Sequence, residues 1–306
     1  MMGYIFLFIA VFTGVAKGYC GKKTSNYVNT ITDGLILQYT RLTLCMFIGI
    51  CLFFLSKNTF QMNIPILFIS MLNGIANASF LIAWLFAVKS GAYLFVDICL
   101  TAGGILIPCI CGALFFDGKI TLLQYIGIII MLLAILVMNS YNSSITKKKL
   151  SFGNILLLLC VAISNGTMGL CEKWFVYYTT NNNIACDLSS FSFATFFFAA
   201  AILRLSLTII CKKNKLNIVE CYKSFPYKKL WVYIILIAFF LFFNTYLTTL
   251  TNTYINNTVL IYPLKFGSNL ILSAIMASLI FKEKMNFKSI FGMLLITISI
   301  LLINVF

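Results

Sequence analysis

Histidine is absent from the 306-residue chain, and charged residues make up only 9% of it. Without histidine there is no Ser-His-Asp or Cys-His nucleophile system, no HExxH metal site and no histidine-dependent acyl transfer in the membrane. The eleven cysteines form no CxxC pair, and there is neither a GxGD aspartate pair nor a DDxxD cluster. Most cysteines, Cys45, Cys51, Cys99, Cys109, Cys111 and Cys160 among them, sit inside apolar runs and read as small buried hydrophobes. An enzyme therefore finds no residues to carry it, and no cofactor or metal is expected. Scarcity of charge excludes a soluble fold as well, because ordinary soluble domains carry about a quarter charged residues.

What is present is 61% hydrophobic, with 22 Lys and Arg against 7 Asp and Glu for a formal net charge of +15. That balance does not point to nucleic acid, because the lysines fall between apolar runs rather than in a basic patch. The implied solvent is a bilayer. A helix needs about 20 apolar residues to cross its hydrocarbon core. Ten such runs are legible, approximately 2–19, 34–56, 64–87, 91–116, 120–140, 151–178, 187–211, 230–253, 257–281 and 286–306. Lipid offers no partner for unpaired backbone groups, so these runs are predicted to be helices. A barrel would need alternating polarity, and Ile126 to Leu136 shows none. The first run, Tyr4 to Ala16, has no basic region before it and reads as a retained helix. The expected fold class is an all-α polytopic membrane protein of ten transmembrane helices.

The second half of the chain echoes the first. KITLLQYIGIIIMLLAILVMN from Lys119 superposes without a gap on KMNFKSIFGMLLITISILLIN from Lys284, placing Gly127 on Gly292 and Asn139 on Asn304. TGVAKGYCGKK from Thr13 superposes on SNGTMGLCEKW from Ser164, pairing Gly18 with Gly169, Cys20 with Cys171 and Lys22 with Lys173. Two five-helix repeats follow, 1–142 and 150–306, joined by a lysine-rich loop over 143–149. Five is odd, so the second repeat enters from the opposite side and the repeats are inverted, an architecture that secondary transporters use for alternating access.

Arg41 in YTRLTLCMF, the run AVKSGAYLFVDICLTAGGILIPCICGALFFDGKITLLQYIGIIIML and its partner IYPLKFGSNLILSAIMASLIFKEKMNFKSIFGMLLITISILLIN resemble the EamA-type family of the drug/metabolite transporter superfamily. The resemblance spans essentially the whole chain on loose motifs. Glu283 and Gly292 match the acidic residue and glycine-containing helix that follow the ninth span; in the first half Asp117 and Gly118 stand in the glutamate slot. Pro108 matches the family's proline late in the fourth span, whereas the ninth span carries Pro263 earlier and Ser273 at the aligned position. The resemblance implies transport of a metabolite across the plasma (cell) membrane without fixing the cargo.

Fifteen lysines fall in odd-numbered connections, three (Lys57, Lys119 and Lys173) in even-numbered ones, and Lys17, Arg41, Arg204 and Lys265 lie within spans. The positive-inside rule puts the odd connections in the cytoplasm and both termini outside; the family resemblance implies the reverse. Orientation stays open between the two.

A charge in hydrocarbon costs roughly 2.5–3.5 kcal/mol even on an insertion scale, so each intramembrane ion needs a partner or a task. Asp97 in the fourth span and Lys265 in the ninth are expected to form a charge pair lining a central cavity, with Asp97 carrying protons; the competing reading is a purely structural bridge or a solvated Asp97. Arg41, with five fixed donors, suits a carboxylate, a phosphate or unpaired helix carbonyls. Arg204 and Lys17 are expected to reach toward the interface. Thr245, Thr248, Thr249 and Asn252 share one face of the eighth span, with Asn244 beside it. They either line a cavity or bond their own helix. Asn73 and Asn77 in the third span and Ser164 and Asn165 in the sixth favour a wet interior, and Trp84, Tyr246 and Tyr262 are candidate cavity aromatics. Trp174 and Trp231 read as interfacial. Small residues at Ala102 to Gly104 and Gly267 to Asn269 would let the central helices approach closely.

The function expected is secondary-active transport of a small polar metabolite, an amino acid, a sugar or a phosphorylated or nucleotide-like compound, coupled to protons or a counter-substrate, by a monomer or homodimer among membrane lipids. The alternative is a non-transporting scaffold or lipid-handling protein.

Overall fold

The computed structural model describes residues 2–56, 62–90, 93–116, 121–146, 151–184, 187–255, 258–282 and 287–305. Asp117, Gly118, Lys119, Glu283, Lys57, Lys284 and the Lys147 to Lys149 run lie outside the described residues. Within them the chain is all helical, with no strand. The helices are α1 (Met2–Ser25), α2 (Ile31–Ser56), α3 (Ile64–Ser90), α4 (Tyr93–Phe115), α5 (Leu122–Thr146), α6 (Phe152–Asn181), α7 (Leu188–Lys213), α8 (Ile218–Ser224), α9 (Tyr227–Tyr254), α10 (Thr258–Leu279) and α11 (Phe287–Val305). Ten coincide with the ten apolar runs. The eleventh, α8, is a seven-residue helix in the connection after Cys211, which apolar-run counting passes over because it carries Glu220 and Lys223.

Among the described residues seven helices are long and apolar enough to cross a membrane: α1, α2, α3, α4, α6, α7 and α9. Apolar stretches in α5 and α11 are shorter, at Leu122–Met131 and Ile290–Ile303. Polarity runs opposite to that of a soluble bundle. Ile129, Leu133, Leu159, Ile163, Leu205, Ile209, Ile235 and Phe239 are exposed, while Gln38, Arg41, Asn73, Asn77, Asp97, Glu172, Lys173, Thr248 and Lys265 are buried. Such a surface is stable only against hydrocarbon, which makes this an integral membrane protein.

Helix starts are set by local chemistry. Asp33 Oδ2 accepts from the backbone of Asn29 (3.1 Å) and Thr30 (2.9 Å), and Thr30 Oγ1 accepts from Asp33 N (3.1 Å). The same reciprocal box recurs at α5, between Thr121 and Gln124 at 3.0 and 3.4 Å. Asn63 caps α3 through Ile66 N (3.0 Å) and Ser151 caps α6 through Asn154 N (3.3 Å). Lys22 donates to Val88 O in the last turn of α3 (2.8 Å), and Lys89 donates to Val28 O in the connection between α1 and α2.

Packing is ordered by an exchange. With α6, α7, α9, α10 and α11 standing for α1 to α5 in turn, α1 on α9 corresponds to α3 on α6, α1 on α10 to α4 on α6, and α2 on α9 to α3 on α7. The pairs α2 with α7, α4 with α10 and α5 with α11 map onto themselves. A close crossing joins α4 to α6: a Cβ on Gly103 would strike the backbone of Ala162, and one on Gly166 the Gly103 carbonyl. Glycine is required at both, so the small residues of α4 serve an approach to α6 as well as to the central partner helix.

Candidate functional site

α1, α4, α6 and α10, with contributions from α2, α3 and α9, enclose a central cavity of about 50 Å³. That is room for a few water molecules, so the site is closed around a solvent-sized space. Its wall includes Lys17 and Gly18 of α1, Arg41 of α2, Trp84 of α3, Asp97 of α4, Asn165 and Glu172 of α6, Asn244 of α9, and Tyr262 and Lys265 of α10.

Seven of the nine predicted site residues meet there: Arg41, Trp84, Asp97, Asn165, Asn244, Tyr262 and Lys265. Two do not. Asn77 is fully buried on α3 away from the cavity, and neither of its amide atoms has a hydrogen-bond partner. Thr248 turns its hydroxyl to Asn244 O (2.6 Å), as Thr249 does to Thr245 O (3.0 Å) and Thr251 to Leu247 O (2.8 Å). Threonine satisfies itself on its own helix, so of that stripe only Thr245, with its neighbour Asn244, reaches the cavity.

Asp97 and Lys265 both line the cavity without an ion pair between them. The carboxylate whose charge reaches Lys265 is Glu172, while Asp97 lies by Ser273 and Tyr93 and, among charged groups, feels Lys17. Lys17 is no interfacial residue: its ammonium lies inside the bundle, 5.6 Å from the centre of the Phe80 ring. Lys265 Nζ stands 4.9 Å from the Phe266 centroid. An ammonium on a ring face is held partly by the ring quadrupole, leaving the carboxylates available to other partners. Lys173, assigned from sequence to a connection, is buried within α6 beside Glu172. Arg204 does reach the periphery, donating to Tyr222 Oη (3.2 Å). Its guanidinium lies 5.8 Å from the Tyr39 ring centre and 5.7 Å from that of Tyr222.

Arg41 is anchored on two sides. Nη1 donates to Gln38 Oε1 (2.9 Å) and Nη2 to Thr24 Oγ1 (2.6 Å), while Nε has no partner. Asn165 donates to Leu100 O (3.0 Å) and Asn244 to Ala10 O (2.6 Å), so both amides tie a neighbouring helix to the cavity wall. Tyr262 Oη donates to Gly169 O (2.5 Å) and accepts from Asn252 Nδ2 (3.3 Å). Its ring lies where a Cβ of Gly169 would be, as the Tyr93 hydroxyl does against Gly18. Each tyrosine thus seats on the glycine of the aligned pair. Trp84 stands edge-on to Tyr93 (6.4 Å), and Tyr93 packs on Phe281 (5.5 Å). Tyr246 stacks on Phe242 (5.8 Å) and does not line the cavity. Trp174 meets Phe68 (6.5 Å), and Trp231 is exposed.

A second, apolar groove of about 340 Å³ lies on the outside between α1 and α10, lined by Leu7, Phe8, Val11, Leu264 and Ile271.

No family model and no curated protein matches the chain. Among solved structures 28 chains match. One, described only as the crystal structure of a protein, superposes with a TM-score of 0.69 over 99% of this chain and 96% of its own, at 10% identity. That likeness is one of fold. Fold and site together define an integral helical membrane protein with a charged, enclosed interior.

Proposed function

We propose that the chain is a secondary-active transporter of a small polar metabolite, working by alternating access in the manner of the EamA-type drug/metabolite transporters that its sequence resembles. The observation that carries this reading is the central cavity, where four helices drawn from both halves each contribute one charge, Asp97, Glu172 and Lys265 buried and Lys17 partly buried. A structural scaffold has no use for ions that cost roughly 2.5–3.5 kcal/mol apiece to place in a membrane. The exchange relation in helix packing supports ten transmembrane helices in two inverted five-helix repeats, with the pseudo-two-fold passing between α4 and α10. Asp97 is the proposed proton carrier. It faces Lys17 from α1, Glu172 from α6, Tyr262 and Lys265 from α10, and Tyr93 from its own helix. A cell membrane is the proposed location, and the lysine-rich connections favour an orientation with the odd-numbered connections in the cytoplasm, against the reverse that the family resemblance implies.

Counterflow into proteoliposomes tests the reading with amino acids, hexoses and nucleotides as probes. Accumulation of one class against its preloaded counterpart is expected, and no movement of any class by folded, reconstituted protein refutes it. Asp97→Asn is expected to abolish the stimulation of uptake by a pH gradient; unchanged uptake and unchanged pH dependence refute proton carriage by Asp97.

A further inference from the structure

The four cavity charges are sorted by wall. Lys17 and Lys265 sit on α1 and α10, which pack on each other, and Asp97 and Glu172 on α4 and α6, which likewise pack on each other. Arg41 joins the positive side, since its guanidinium is hydrogen-bonded to Thr24 of α1. The alternative arrangement, carboxylates interleaved with ammoniums as closed bridges, is not the one found. Both ammoniums rest on aromatic faces, and Asp97, 3% exposed, keeps Oδ2 without a hydrogen-bond partner. Like charges gathered on one side of a low-dielectric cavity repel each other and attract a complementary group from the solute.

We propose that the central cavity binds a dipolar solute, one with an anionic and a cationic group, its anion on the Lys17–Lys265 wall and its cation on the Asp97–Glu172 wall. This deepens the transporter reading and rests on it for the direction of movement, though not for binding. A neutral sugar would leave both walls without a counter-charge. A sugar phosphate would satisfy the lysines and Arg41 but bring no cation to the two carboxylates. A zwitterion satisfies both walls at once, and Glu172 and Lys17 become specificity-determining residues rather than structural ions.

The experiment measures two quantities on the full-length protein. Thermal stabilisation in detergent reads binding, and counterflow in proteoliposomes reads transport. The probes are L-alanine, L-glutamine, γ-aminobutyrate, glycine betaine, D-glucose and glucose 6-phosphate. Stabilisation by one or more of the zwitterions and by neither sugar is expected, with apparent affinity falling about tenfold or more in Glu172→Gln and in Lys17→Met, as loss of one buried charge partner does elsewhere. Binding of zwitterions without counterflow keeps the site and refutes transport. Counterflow of glucose or glucose 6-phosphate with no effect of any zwitterion overturns the dipolar assignment and keeps transport. Zwitterion binding untouched in both folded variants overturns the assignment of the walls, and no binding with no movement overturns both readings.

Discussion

At the residue scale the cavity depends on side chains that serve the wall and the fold together. Tyr262 is the clearest case, since its hydroxyl donates to Gly169 O and accepts from Asn252. Tyr262→Phe leaves both partners buried and unsatisfied, which costs about 1–3 kcal/mol, so a lower unfolding temperature in detergent is expected; an unchanged one would show that the hydroxyl is not used. The sequence made Asp97, Lys265 and Arg41 visible because each interrupts a strongly apolar run. Lys17 and Lys173 were misjudged and Glu172 was passed over for a physical reason: they stand close to where a 20-residue span would end. α6 runs 30 residues, from Phe152 to Asn181, and the apolar stretch Phe175 to Tyr178 beyond Glu172 was the available sign that the charges lie inside it.

At the scale of elements, helix ends and crossings were unequally legible. Apolar runs located ten helices with most boundaries within three residues, because in lipid the length of an apolar run and the length of a helix are set by the same thickness. Pairings between helices were not legible, since apolar faces look alike in composition; only glycines mark where backbones approach. Gly103→Val is expected to force α4 from α6 at Ala162 and to cost about 1–3 kcal/mol, the usual penalty of overpacking, seen as earlier unfolding in denaturant. The capping box at α5 is a milder test. Thr121→Ala removes the acceptor for Gln124 N and is expected to lower stability by about 1 kcal/mol while leaving solute binding intact.

For the whole molecule, the positions of the charges matter more than their number. Most of the 22 Lys and Arg lie in connections on one side of the proposed membrane. Lys173 belongs instead to the buried set, which strengthens that asymmetry by removing one charge from the opposite side. A C-terminal fluorescent-protein and phosphatase fusion pair is expected to report an outward C-terminus; fluorescence without phosphatase activity would reverse the orientation. Five of the ions left inside, Lys17, Arg41, Asp97, Glu172 and Lys265, converge on one cavity of about 50 Å³. The proposed transport cycle therefore requires this space to widen toward each side in turn, and the exchange relation in the packing would supply two equivalent ways to do so.

That alternation is the central claim, and access to a single cavity position tests it most directly. In a chain whose eleven cysteines are replaced by alanine or serine, Asn269→Cys places one thiol in the cavity wall. A membrane-impermeant maleimide is then applied to sealed vesicles from either face. Labelling from both faces, slowed by a transported solute, is the predicted result; labelling from one face only, or from neither, contradicts alternating access.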